Sequence, residues 1–186
     1  MKIRIQIYLL IFLLIVLSAC GAAIEDEDNI IDKSIDTIGY LQTNDWDQLA
    51  QLVHPEKGLL FSANAQIEVD DVLFSNEEVA LFGKDEKEYS FSPQIETTPA
   101  NFINNELLSK EGVQVEYTVS SFDQSQVPNN IDENNIEEAY PDAQFVEYYS
   151  PPSTNDEDNW QAIRLVFEKE RRHHYLVAIV RETPAK

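Results

Sequence analysis

Trp160-Gln161-Ala162-Ile163-Arg164-Leu165-Val166-Phe167-Glu168 is followed by Lys169-Glu170-Arg171-Arg172 and then by His173-His174-Tyr175-Leu176-Val177-Ala178-Ile179-Val180-Arg181. Ile163, Leu165 and Phe167 recur at every second position, the period with which strand side chains return to one face. Leu176, Ala178 and Val180 alternate in the same way with Tyr175, Val177 and Ile179. Lys169 to Arg172 is short enough to join the two strands as an antiparallel hairpin. Upstream, Phe145 to Tyr149 reads as a further strand. Val113, Val115, Tyr117 and Val119 alternate with polar residues as a strand with one wet face does. Asp123 to Tyr140 is rich in Asn, Gln, Asp and Glu and reads as a long connection, with one helical turn at 134–139.

The N-terminal half has the helical period instead. Ile31, Ile35, Ile38 and Leu41 are spaced by four, three and three residues and predict an amphipathic helix over 29–40, weakened at its end by Gly39. Asn44 or Asp45 can cap a second helix carrying Trp46, Leu49, Ala50 and Val53, and His54-Pro55 stops it. Gly58 to Ser62 reads as a short strand and Gln66 to Val69 as an extended edge. Ser75-Asn76-Glu77-Glu78 fits a capping box, with Val79, Leu81 and Phe82 supplying apolar contacts before Gly83. Thr98-Pro99 starts another helix, with Phe102, Ile103 and Leu107 inward. Helices first and long strands last predict an α+β domain over 29–186, its N-terminal helices packed on one face of a curved antiparallel sheet.

Residues 1–19 read as a lipoprotein signal peptide. Lys2 and Arg4 form its basic start, and Ile7 to Leu17 is an apolar run of 11 residues. As a helix that run measures ~17 Å, too short for the ~30 Å hydrocarbon core of a bilayer. Leu17-Ser18-Ala19-Cys20 then has the form of a lipobox, cut between Ala19 and Cys20, with diacylglycerol joined to the sulfur of Cys20. Two or three acyl chains hold a protein on a membrane durably, where one binds reversibly. Residues 20–28, with Glu25-Asp26-Glu27-Asp28, read as an acidic tether. The expected location is the cell membrane or the outer membrane, with the domain outside the cytoplasm.

The chain has 186 residues, 13 Lys plus Arg against 34 Asp plus Glu, and a formal charge of −21. Removing residues 1–19 takes Lys2 and Arg4 and no acid, which leaves 11 bases, 34 acids and a charge of −23. Such a surface repels phosphate backbones, so nucleic acid is excluded as a partner. The expected partners are the membrane, through the lipid on Cys20, and a cationic or envelope protein. One cysteine and three histidines allow neither an intrachain disulfide nor a Cys/His zinc framework. His173 and His174 point to opposite faces of one strand and cannot jointly chelate an ion. Asp156-Glu157-Asp158 lacks the alternation, central glycine and distal glutamate of an EF-hand. With five glycines and no Gly-x-Ser-x-Gly, P-loop or Gly-x-Gly-x-x-Gly, the sequence implies no cofactor and no metal.

Leu49-Ala50-Gln51-Leu52-Val53-His54-Pro55-Glu56-Lys57-Gly58-Leu59-Leu60-Phe61-Ser62 resembles the most recognisable stretch of an uncharacterised family of bacterial lipoproteins. Glu147-Tyr148-Tyr149, Asn159-Trp160, Leu165-Val166-Phe167-Glu168-Lys169 and Tyr175-Leu176-Val177-Ala178-Ile179 are similar to that family in order and spacing. The resemblance implies an NTF2-like, or cystatin-like, domain: helices wrapped by a bent sheet that forms an open cone. The sequence departs from the family at Tyr89 to Glu96, where a glycine-rich aromatic segment is expected.

A cone makes His54 a candidate general base, oriented by Asp45, Asp47 or Glu56; at a helix end before proline such a residue is more often a capping or packing histidine. Tyr148, Trp160 and Tyr175 are candidates for lining the mouth, and strand aromatics also read as core. The expected function is a non-catalytic binding or interaction module. The alternatives are a small hydrolase or isomerase-type enzyme using His54, and a structural or stress-associated envelope protein without a small ligand.

Overall fold

A computed structural model describes residues 29–110, 113–117, 119–127, 134–152 and 159–184. The segments expected to be a signal peptide (1–19) and an acidic tether (20–28), Cys20 among them, and Asp156-Glu157-Asp158 lie outside the described residues.

The predicted hairpin is the centre of the sheet. β9 (Gln161–Glu170) and β10 (His173–Glu182) pair antiparallel from His173 opposite Glu170 to Glu182 opposite Ala162. Arg171 takes a φ of 56° at the first position of the two-residue turn, the sign that a primed hairpin turn requires there. β9 is covered on both faces: Ile163, Leu165 and Phe167 enter one core, and Ala162 and Val166 enter clusters on the other face. In β10 the alternation breaks. A bulge between Leu176 and Ala178 makes Val177 the extra residue, so Leu176 and Ile179, three apart, serve the first core together. Ala178 and Val180 face the second, with Val177.

Around this hairpin a six-stranded sheet runs in the order β2-β1-β10-β9-β8-β7. β8 (Ala143–Ser150) and β7 (Val119–Phe122) continue it antiparallel. On the other side β1 (Leu59–Ser62) lies parallel to β10, and β2 (Val72–Phe74) antiparallel to β1. The sheet is therefore mostly antiparallel, with β1 and β10 the exception. That register begins at Val53 and His54, where the His54 N–H donates to Leu176 O at 3.0 Å. Gln66 to Val69 is not the edge: the N–H of Glu68 donates to the Asp71 carboxylate and the N–H of Asp71 to Glu68 O, which closes a turn before β2. The strand expected at 113–119 is divided. β5 (Ser109–Lys110) pairs with β6 (Val113–Gln114) in a separate ribbon. Residues 115–117 then cross to β7, anchored where the Tyr117 hydroxyl donates to Leu107 O at 2.6 Å.

One face of the sheet is covered by α1 (Ile30–Thr43), α2 (Trp46–Leu52), α3 (Asn76–Val79) and α4 (Pro99–Phe102), with the β3–β4 hairpin (Tyr89–Ser92, Ile95–Thr97) alongside. α1 presents a different stripe from the one its isoleucines predict. Ile30, Ser34, Thr37 and Leu41 are buried, while Ile31 is 39% and Ile35 58% exposed. The Ser34 and Thr37 hydroxyls donate to Ile31 O and Lys33 O, both at 2.7 Å, so their polar groups enter the interior satisfied. Their small size brings the helix onto β8, where Ser34 Oγ meets the Tyr148 hydroxyl at 2.9 Å. Gly39 does not end α1; Asn44, left-handed at φ 55°, is its C-cap.

Asp45 caps α2, and the Ser75/Glu78 capping box starts α3, after which Val79 and Phe82 are buried and Leu81 is exposed. Phe61 of β1 sits within 6.2 Å, centroid to centroid, of Phe74, Phe82, Phe91 and Phe102, and Phe91 stacks on Phe102 at 4.0 Å. Truncating a buried Phe of this kind costs about 3–5 kcal/mol. Two glycines are forced: a Cβ on Gly58, at φ +74°, would lie 2.3 Å from Phe74 O, and one on Gly83 would lie 2.8 Å from Trp46 Nε1. The helices are not confined to one face. α5 (Ile136–Ala139) lies on the other, where Ile136 packs with Val166, Val177, Ala178 and Val180.

Burial raises the phenol pKa of Tyr117, Tyr148 and Tyr149 above the ordinary 10.0 and, with added repulsion from Glu168 and Asp71, carries Tyr140 up to about 12. The folded state keeps protons that the unfolded chain releases near pH 10, so this stability is complete below that pH and lost as pH rises through about 12. In an alkaline titration the tyrosinate absorbance of these residues is expected to appear together with the loss of circular dichroism. Full ionisation near pH 10 with the fold intact would contradict the packing.

Candidate functional site

His54 is buried and its ring is committed to the turn that follows α2. Nδ1 accepts the N–H groups of Glu56 and Lys57, both at 3.1 Å, which places the imidazole proton on Nε2, 3.8 Å from the Glu170 carboxylate. The ring also meets Tyr175 edge-on at 5.4 Å. In this geometry the Nδ1 lone pair that a base would use accepts two backbone N–H groups. Of the acids expected to orient it, Asp45 caps α2 and Glu56 contributes its backbone N–H. The capping alternative describes the residue better, with the difference that it holds the N–H groups of the next turn rather than the last helical carbonyls.

The aromatic candidates do not share a mouth. Tyr148 faces α1 through Ser34 and meets Tyr117 edge-on at 6.5 Å. Trp160 lies with Tyr149, Ala162 and Val127 in a separate small cluster. Tyr175 stands between His54 and His173. His173 is exposed and His174 buried, as strand alternation requires. Among the described residues no group of three or more His, Cys, Asp or Glu side chains is placed to hold a metal ion.

Two polar constructions stand out instead. The first is buried on the α5 face of the sheet. Arg164, 1% exposed, donates from Nε to Glu147 at 2.8 Å and from Nη2 to Glu182 at 2.6 Å. Glu147 is fully buried and also accepts from the Gln126 N–H at 2.5 Å and the Ser125 hydroxyl at 2.9 Å. Arg164 Nη2 reaches Ser125 Oγ as well, at 3.1 Å. The loop after β7 is thus strapped across β8 and β9 by charge-assisted hydrogen bonds, which are stronger than neutral ones. Among the described residues, Arg164 Nη1 and Glu182 Oε1 are buried there without a hydrogen bond, so the network is deep but not fully satisfied.

The second is open to solvent. After α4 the helix widens into a π-helical turn, Ile103–Leu107, closed by the Leu108 N–H on Ile103 O at 2.9 Å. Such turns leave carbonyls to be satisfied from outside the helix, and they recur at functional sites. Here the buried Gln161 donates from Nε2 to Leu107 O at 2.8 Å and to Glu106 O at 3.2 Å. Asn104 Nδ2 ties the turn to the C-cap of α1 through Asn44 Oδ1 at 3.1 Å. Between the turn and β4 lies a cleft of about 160 Å³, lined by Gln94, Glu96, Thr97, Asn101, Asn105 and Glu106 around Ile95. Arg181 supports it from beneath, its Nη2 at 3.4 Å from the Glu106 carboxylate. Burial lowers the pKa of that guanidinium, while Glu106 and Tyr117 favour its charged form. This cleft joins concavity to unused polar groups, and it is the candidate site. The sequence reading missed it; the Asn104-Asn105-Glu106 interruption between Ile103 and Leu107 is its signal.

The chain matches no protein-family model, and no curated protein and no solved structure matches it.

His54→Ala removes the acceptor of two N–H groups and leaves a hole beside Tyr175, and a loss of about 2–3 kcal/mol in unfolding free energy is expected. His54→Asn, whose side-chain oxygen can take the place of Nδ1, should recover part of it. Equal losses for the two variants in urea denaturation would show that the hydrogen bonds to Nδ1 contribute nothing.

Proposed function

We propose that the chain is a lipid-anchored extracytoplasmic lipoprotein whose α+β domain acts as a non-catalytic binding or interaction module. The observation that carries this reading is Leu17-Ser18-Ala19-Cys20 behind a basic and apolar leader, with the chain's single cysteine at the position the motif needs. Among the described residues no helix is long and apolar enough to cross a membrane. In this reading the lipid on Cys20 holds the chain on the membrane. The domain's part is supported by the cleft beside the π-helical turn, lined by residues that bear amides and carboxylates, and by the ring of His54, whose Nδ1 is tied to two backbone N–H groups. In the finer reading, the N-terminal helices and the sheet form an NTF2-like cone. The negative surface fits a cationic or envelope protein as the larger partner, since complementary charge raises association rates.

Mass spectrometry of the N-terminal peptide of membrane-extracted protein tests the anchor. The expected peptide begins at Cys20 and carries diacylglycerol, and Cys20→Ala is expected to leave the membrane fraction or to keep its leader. If the variant stays membrane-bound while the natural peptide carries no lipid, the proposal fails.

A further inference from the structure

Gln94, Thr97, Asn101 and Asn105 line the cleft, their side-chain amides and hydroxyl make no hydrogen bond among the described residues, and Glu96 has no ion-pair partner there. Their capacities can be counted. Each amide offers two N–H donors and one acceptor, the hydroxyl offers both, and the carboxylates of Glu96 and Glu106 only accept. An ammonium ligand, which only donates, would engage the carboxylates and the amide oxygens and leave the amide N–H groups without an acceptor on the ligand. A phosphate or carboxylate, which only accepts, would suit the amides and be repelled by two glutamates. A hydroxyl group donates to a carboxylate and accepts from an amide at once, so a ligand with several hydroxyls matches the whole lining. Ile95 adds an apolar surface for C–H groups between them.

We propose that this cleft takes one ring of a neutral saccharide, an assignment that rests on the binding-module reading and gives that module its ligand class. The volume agrees with a single ring: 160 Å³ equals the bulk volume of about five waters, below the ~300–1,000 Å³ of pockets that enclose drug-sized ligands. The site is open, so it takes an exposed unit or chain end of a larger glycan. Glu106 is set in advance by buried Arg181, which reduces the ordering cost of binding. Affinity in the millimolar range follows from so small a contact.

The test uses the isotope-labelled full chain in micelles of a detergent without a sugar headgroup. It is titrated separately with chitotriose, maltotriose, spermidine and inorganic phosphate, and the side-chain amide resonances of Gln94, Asn101 and Asn105 are followed. At least one of the two saccharides is expected to shift all three resonances saturably. Asn101→Ala combined with Asn105→Ala should weaken the shift at Gln94 by about tenfold in affinity, two hydrogen bonds' worth, with the backbone spectrum otherwise unchanged. No response to either saccharide, or undiminished binding by the double variant, overturns the proposal. Shifts caused only by spermidine or phosphate, or silence toward every probe, overturn the saccharide assignment and leave the binding-module reading to the N-terminal peptide experiment and to experiments with protein partners.

Discussion

Arg164 is a buried guanidinium with a carboxylate on either side, Glu147 from β8 and Glu182 from β10. Taking three charges out of water is costly unless they meet one another in good geometry. That condition binds three neighbouring strands at once. A slip of β9 by one residue would turn Arg164 into the aromatic core and carry Ile163 and Leu165 to the opposite face. Apolar contacts alone discriminate poorly between such registers, because both faces of β9 are apolar around Arg164. The same carboxylate of Glu147 holds Ser125 and Gln126, so the loop after β7 inherits its position from the ion network.

The other face obeys a different constraint. There the sheet meets helices through an aromatic cluster centred on Phe61, and the polar groups that must be buried are satisfied one by one. Ser34 and Thr37 bond within α1, His54 gathers two backbone donors, and Gln161 and Tyr117 cap the carbonyls released by the π-helical turn. The candidate cleft lies at the rim of this system. Glu106 is its link to the interior, since the backbone carbonyl binds Gln161 and the side chain binds Arg181. The strand that sets the register and the cleft that can hold a ligand thus meet through neighbouring residues at one end of β9 and β10.

Much of this was legible in the sequence, and the failures have physical causes. The hairpin of β9 and β10 is plain because two long apolar, β-branched runs flank the short polar segment Lys169 to Arg172, even though the alternation of β10 fails at Val177. The caps at Asp45, Ser75 and Thr98 were readable because each depends only on residues within one turn. The face of α1 was misread because isoleucine outranks serine and threonine in hydropathy, and nothing local tells that a hydroxyl bonded to its own helix can be buried. The bulge at Val177 and the parallel pairing of β1 depend on contacts distant in sequence. His54 reads from the sequence as a capping or packing residue or as a base, because local spacing does not show that its Nδ1 accepts two backbone N–H groups. Tyr148 is opposite Ile163 on one face, whereas Trp160 beside Ala162 and Tyr175 opposite Glu168 lie toward opposite ends of β9 on the other. Arg164 was the neglected clue: an arginine amid alternating apolar residues needs buried partners. The cleft was hidden because Gln94, Asn101 and Asn105 are ordinary surface residues until β4 and the π-helical turn bring them together.

Equilibrium unfolding of two variants measures the dependence on the ion network directly. Arg164→Met alone strands two buried carboxylates and is predicted to lose about 3–5 kcal/mol, whereas the triple replacement Glu147→Leu, Arg164→Met and Glu182→Leu should recover most of that loss. A single variant within about 1 kcal/mol of the natural chain would contradict the account, as would a triple variant no more stable than the single one.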